Sequence, residues 1–184
     1  MRHFFRFNLL FAFLFFCLIS PAFTQEFSKV VKPFVSMTDG LVALTHAKVI
    51  DGTGGAIKTN QTLVFKDGII TQIGDFSAIN IPASAKVLDC TGKTIIPGLV
   101  MLHEHLFYPK SFDGTFSVAQ MTWSFPRLYL AGGVTTMRTA GSIEPQTDLN
   151  IRDWIKDGRM LGPKMDVTSP FIERPGTPVP EIGT

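Results

Sequence analysis

The sequence predicts an α/β chain in two parts, a small, mostly antiparallel β module followed by a parallel sheet with crossover helices. Two observations carry this. Residues 41–92 hold short β-rich runs separated by Gly and Asp, the pattern of strands joined by tight turns. From residue 94 the order becomes strand, helix, strand, helix, strand with short connections, the pattern of a parallel sheet. Among 184 residues there is no internal repeat or low-complexity tract to suggest another architecture.

Residues 1–22 stand apart. Arg2 and Arg6 precede an unbroken apolar run at 9–19 (LLFAFLFFCLI), and Ser20-Pro21-Ala22 supplies small residues. This is the layout of a secretory signal peptide, with cleavage expected after Ala22 or nearer Gln25. The apolar core is short for a membrane span, which takes about 20 residues. Export to the periplasm or medium is therefore expected, with no stable membrane insertion after cleavage. Loss of Arg2 and Arg6 leaves 15 basic against 15 acidic residues. A balanced chain gives no argument for a nucleic-acid or anionic-membrane partner. Cys17 leaves with the signal, so Cys90 has no partner for an internal disulfide and reads as a partly buried structural thiol.

Residues 23–40 read as a linker. Residues 41–50 form a strand, and Asp51–Gly55 a turn. Segments 61–66 and 69–73 flank Lys66-Asp67-Gly68, a tight hairpin signal. A further strand runs near Lys86–Asp89. His46 in the first strand reads as a surface or packed histidine. The next strand spans 94–103 and ends in His103-Glu104-His105; after it comes a loop and an irregular apolar stretch. Ser124 is expected to cap a helix with Pro126 in its first turn, stopping at Gly132-Gly133. Val134–Thr139 is a strand. Thr147 or Asp148 caps a second helix ending at Gly158, whose Ile151, Trp154 and Ile155 share one apolar face. Met165–Thr168 is a third strand, and residues 170–184, rich in Pro and Gly, read as loop.

Side chains alternate along a strand, so His103 and His105 are expected on one face. Two neutral imidazoles presented to one point make half of a metal site. Glu104 between them is expected to point away and is not assigned as a general base. His103-Glu104-His105-Leu106-Phe107 is also not the HExxH helix of metalloproteases, because position 107 is Phe.

The stretch from Asp89 through Gly92, Pro97-Gly98 and Leu99–Leu102 to His103-Glu104-His105 resembles the metal-dependent amidohydrolase superfamily, in its imidazolonepropionase-like and prolidase-like branch. The segments KDGIITQIG, Leu128–Arg138 and 149–164, ending DGRMLGPK, extend the resemblance over nearly all of residues 41–170. It implies a (β/α)8 TIM barrel beside a small β-sandwich, with 41–92 as the sandwich segment. Residues 93–184 would be the start of the barrel, its first three strands, and the barrel would be incomplete. It implies that His103 and His105 hold a divalent metal, most often zinc, one or two ions in the complete site. The metal would lower the pKa of a water for attack on the C–N bond of a small amide, cyclic amide or dipeptide. Phe107, Tyr108 and Arg138 are candidate pocket residues. Packing for Phe107 and Tyr108, and a structural ion pair for Arg138, stand as alternatives. Two departures are visible: Met101 and Thr139 stand where many members have Asp.

The family's later ligands, a mid-barrel lysine or glutamate, two histidines and a last-strand aspartate, have no counterpart here, since no histidine follows His105. The expectation is a hydrolase by family whose isolated chain is an inactive fragment, with no catalytic residue assigned. The alternatives are a secreted binding or scaffold protein with a vestigial metal site, or half of a split enzyme completed by the missing C-terminal half of the barrel.

Overall fold

A computed structural model describes residues 26–38, 40–112 and 115–172. The expected signal peptide and the loop beyond residue 172 lie outside them. The described residues form a mixed α/β fold with three sheets.

The first sheet contains β1 (Leu41–Val49), β2 (Lys58–Lys66), β3 (Ile69–Asp75), β4 (Lys86–Asp89) and β5 (Thr94–Ile95). Strand order is β3-β2-β1-β4, with β5 also on β1. The β2–β3 hairpin closes at Lys66↔Ile69. Its two turn residues, Asp67 and Gly68, have φ of 50° and 80°, the left-handed pair that suits the twist of a tight hairpin. The module is less antiparallel than its sequence suggests. β4 and β5 both run parallel to β1, because residues 76–85 carry the chain back across the sheet before β4 begins. Ala47, Val49, Leu63 and Cys90 form its core, and Cys90 is a buried free thiol. His46 sits at a register shift between Leu44 and Ala47. Its ring lies 4.0 Å from that of Phe76 and its Nδ1 2.9 Å from Asn60 Oδ1, so it is a packed histidine.

The single strand expected over 94–103 is two strands. After β5 the chain breaks at 96–98 and re-enters as β6 (Leu99–Glu104) in the second sheet. Pro97 has no N–H for a ladder. Gly98 backs directly onto the Thr135 side chain, where a Cβ would collide. The one apolar run thus feeds two sheets.

The second sheet is parallel, ordered β10-β9-β6, with β9 at Val134–Thr139 and β10 at Lys164–Asp166. Helices α1 (Ser124–Ala131) and α2 (Pro145–Lys156) are its crossovers. Two starts differ from expectation. α1 is preceded by Trp123 with no side-chain cap bond, so Ser124 is its first helical residue and not its cap. α2 begins at Pro145, whose fixed φ suits the first turn; Thr147 donates to Glu144 Oε2 at 2.9 Å. Ile151 is fully buried with Val134, Met137, Leu106, Met160 and Met165, and Trp154 and Ile155 pack against this core.

The stretch after His105 is not irregular. β7 (Phe107–Phe112) and β8 (Thr115–Gln120) form an antiparallel hairpin in register from Phe107↔Gln120 to Phe112↔Thr115. Residues 26–38 hold a 3-10 turn at Lys32–Phe34. Val31 is buried there, and Ser28 N donates to Gly158 O at 3.0 Å, which ties the segment to the end of α2. Three parallel strands do not close a barrel. One face of this sheet is covered by the helices, and the other leaves Val100 and Leu102 62% and 71% exposed.

Candidate metal-type site and its cavity

The C-terminal ends of β6, β9 and β10 converge on an open cavity of about 550 Å³. His103 and Leu102 enter it from β6, Arg138 and Thr139 from β9, and Thr168 and Phe171 from beyond β10. The outer ends of parallel strands are where open α/β sheets place their ligands.

His103 reaches this cavity through an irregularity that simple alternation does not foresee. Met101 pairs with Met137 and Glu104 with Thr139, so that two residues of β6, Leu102 and His103, stand against one of β9, Arg138. The extra residue is a bulge, a device that re-aims side chains beside functional sites. It leaves Met101 packed on the core and lets the neighbours Leu102 and His103 both face the cavity. His105 lies just past the strand, its ring centroid 5.3 Å from that of His103 and nearly perpendicular to it. The two imidazoles expected to meet are therefore side by side. His105 Nδ1 is buried without a hydrogen-bond partner, a costly state for a ring nitrogen unless another group completes it. Such a pair suits a borderline cation such as zinc, and the orphaned nitrogen fits that use. It is not a full ligand set: no group of three or more His, Cys, Asp or Glu side chains able to hold a metal occurs among the described residues.

Tyr129 of α1 fixes the strand end by donating to His105 O at 2.9 Å. Burial, then the Glu104 carboxylate beside it, pushes its phenol up to about 12. Glu104 is thus turned toward α1, as the alternation predicts. Tyr129→Phe removes this donor and leaves a carbonyl unpaired. It should cost about 1 kcal/mol, read as a lower denaturation midpoint with an unchanged slope against denaturant.

Behind the histidines lies a buried acid that the sequence offers only as a helix cap. Asp148 is 2% exposed and accepts from Gln120 Nε2 at 2.6 Å. Burial raises its carboxyl above the usual range and Glu144 adds to this, while Ser142, Gln120 and the charge of His105 oppose the shift. A raised native pKa means the folded state holds this proton more tightly than the unfolded chain does. The stabilisation is full below the usual carboxyl value near 4 and is lost as pH rises through the raised native one. Asp148→Asn keeps an acceptor for Gln120 without the charge. It should melt higher than the parent at pH 7 and lose that advantage by about pH 4. Parallel melting curves across that range would contradict the assignment.

The candidate pocket residues separate. Arg138 lines the cavity and also pairs with Asp166 across the β9–β10 ladder, Nε to Oδ2 3.7 Å, both side chains exposed. Phe107 is set against His105 at 4.7 Å and Phe171 at 6.2 Å rather than on the cavity wall. Tyr108 is 57% exposed and stands outside this cluster. Thr139, which the sequence marks only as a departure from the family's Asp, lines the cavity too, and so do Phe171 and Thr168, which no local sequence signal marks.

The described residues place a His-x-His pair at the C-terminal edge of a parallel β/α sheet that follows a small β module. Known proteins are similar over this part. The chain is 37% identical over 82 residues to an enamidase of Eubacterium barkeri, covering 45% of this chain and 20% of that protein. It is 28% identical over 108 residues to an imidazolonepropionase of Nocardia farcinica, covering 58% and 26%. Its fold matches a Bifidobacterium longum protein assigned as a prolidase, with TM-score 0.57 and 32% identity over 75% of this chain and 33% of that one. No family model matches. These similarities support the amidohydrolase superfamily, over its N-terminal part; the chain spans a third or less of the length of each of these relatives.

Proposed function

We propose that this chain supplies the first three strands of a (β/α)8 barrel, behind a β-sandwich segment, in an exported metal-dependent hydrolase that cleaves a C–N bond of a small molecule. The observation that carries the reading is the pairing of His103 and His105, rings 5.3 Å apart at the end of β6 beside a cavity rimmed by strand C-termini. His103 and His105 would hold the metal, and zinc is the ion that imidazole pairs of this kind suit best. When bound, the ion supplies Lewis acidity and a water acidified to near pH 7. The chain's own residues do the rest. Tyr129 holds the His105 backbone, Arg138 offers a cation to an anionic substrate group, and Phe107 braces the His105 ring.

A second reading has its own support. Two imidazoles hold zinc weakly compared with three or four ligands, and Val100 and Leu102 leave an apolar strand face uncovered. Both favour a chain that is inactive until polypeptide carrying the later barrel strands completes it. The test is to assay the zinc-loaded chain on amide, lactam and ester substrates, alone and mixed with such a polypeptide. Turnover only in the mixture, lost in His103→Ala, is expected. Robust turnover by the chain alone would sink the half-enzyme reading, and no turnover in either arm would sink the hydrolase reading. The charged and apolar pattern of residues 1–22 supports export, which fractionation of a tagged chain would test.

A further inference from the structure

Phe171 meets the cavity beside His103 and Arg138, and three features hold it there. Behind it are the rings of His105, 6.1 Å away, and Phe107, 6.2 Å away and steeply tilted. These are separations at which aromatic rings attract. Beneath it is Gly141, whose φ is +85° and on which any Cβ would strike the Phe171 ring. The third feature fixes the two loops against each other. Thr168 N donates to Thr139 Oγ1 at 2.8 Å, and Gly141 N donates to Thr168 Oγ1 at 2.9 Å. The two hydroxyls lie 3.1 Å apart. A bridge between Ser142 and Pro170 continues the pairing to the residue before the ring.

Such a ring is pre-positioned rather than loose. A rigid apolar surface loses little entropy when a ligand packs on it. Phe171 therefore offers an apolar contact within the same cavity in which Arg138 offers positive charge. We propose that Phe171 is a specificity-determining residue, and that the cavity takes a small carboxylate whose apolar ring or chain lies on Phe171 while its anion meets Arg138. This rests on reading the cavity as the substrate site, and it is tested by binding rather than turnover.

Acetate, hexanoate and phenylacetate share one head group and differ in apolar bulk. Titrated into the full-length chain and followed by ligand-observed NMR, phenylacetate and hexanoate should bind about tenfold tighter than acetate. Phe171→Ala should reduce that preference to about twofold or less, while Phe171→Leu, still apolar, retains most of it. Arg138→Gln should weaken the three ligands alike and leave their ratio unchanged. Melting curves establish that each variant is folded. Equal affinities in the parent, a preference that survives Phe171→Ala, or no binding of any of the three would overturn the proposal. The hydrolase reading would be untouched by those outcomes, since turnover decides it separately.

Discussion

Ile151→Ala should unfold a large fraction of the chain at temperatures where the parent is intact. Ile151 is fully buried at the centre of the larger core, between α2 and the β9–β10 strands, in contact with a cluster that includes Met137, Leu106, Met160 and Met165. Removing three carbons there loses the transfer free energy of the side chain and leaves a void that the surrounding side chains fill only in part. The cost is about 2–5 kcal/mol. Against a total domain stability of roughly 5–15 kcal/mol, that decides whether the fold persists. Ile151→Val should cost only about 0.5–1.5 kcal/mol. Urea denaturation checks both. Equal midpoints for the two variants would mean that α2 is not fixed by this face. The same core supports the β7–β8 hairpin, since Leu106 immediately precedes it and accepts from Met121 N at 2.7 Å. Loss of Ile151 should therefore also loosen the backbone that follows His105.

That core was largely legible in the sequence. The spacing of Ile151, Trp154 and Ile155 marks one face of a helix. The β-rich runs at 134–139 and near 165 appear where expected, with boundaries shifted by a residue or two. The Asp67-Gly68 hairpin was equally plain, because only residues tolerant of positive φ serve that turn. The β7–β8 hairpin is not legible in the sequence, although Phe112-Asp113-Gly114-Thr115 carries a similar dipeptide; Pro109 within the run argues against a strand unless it lies in a sheet of two strands, as here. In the sequence alone, Pro97-Gly98 reads as punctuation inside one strand. What makes it a boundary is Thr135, distant in sequence, pressed against Gly98.

The site divides in the same way. His103 and His105 stand out in the sequence by their spacing, a local property. The bulge that turns His103 into the cavity depends on how β6 pairs with β9. Phe171 depends on Gly141 and on the exchange of hydrogen bonds between Thr139 and Thr168. Asp148 looked like a cap because Asp is favoured at helix starts. Its burial arises instead from Gln120 of the hairpin folding over it.

The second large effect concerns the histidines. Under the proposed function, with the zinc-loaded chain mixed with polypeptide carrying the later strands, His103→Ala and His105→Ala should each lower kcat/KM by at least about 10³-fold, which is roughly 4 kcal/mol of transition-state stabilisation. Each would remove one of the two imidazoles that would hold the metal, and with it the acidity that a bound ion would lend to the attacking water. The two variants should differ in stability. His103 is exposed on the cavity wall, so its removal should shift the melting point little. His105 Nδ1 is buried and unpartnered, so His105→Ala removes an unsatisfied polar atom along with ring contacts to Phe107 and Phe171. Those terms oppose each other: a lost aromatic pair is worth about 0.5–1.5 kcal/mol beyond its buried area, and relief of a buried unsatisfied group about 1–3 kcal/mol. Zinc distinguishes a metal role from packing. Added zinc should raise the melting point of the parent, because a ligand bound only to the folded state stabilises it by mass action. Neither alanine variant should respond to zinc in the same concentration range. A zinc response that survives both substitutions would place the metal elsewhere and remove His103 and His105 from the chemistry.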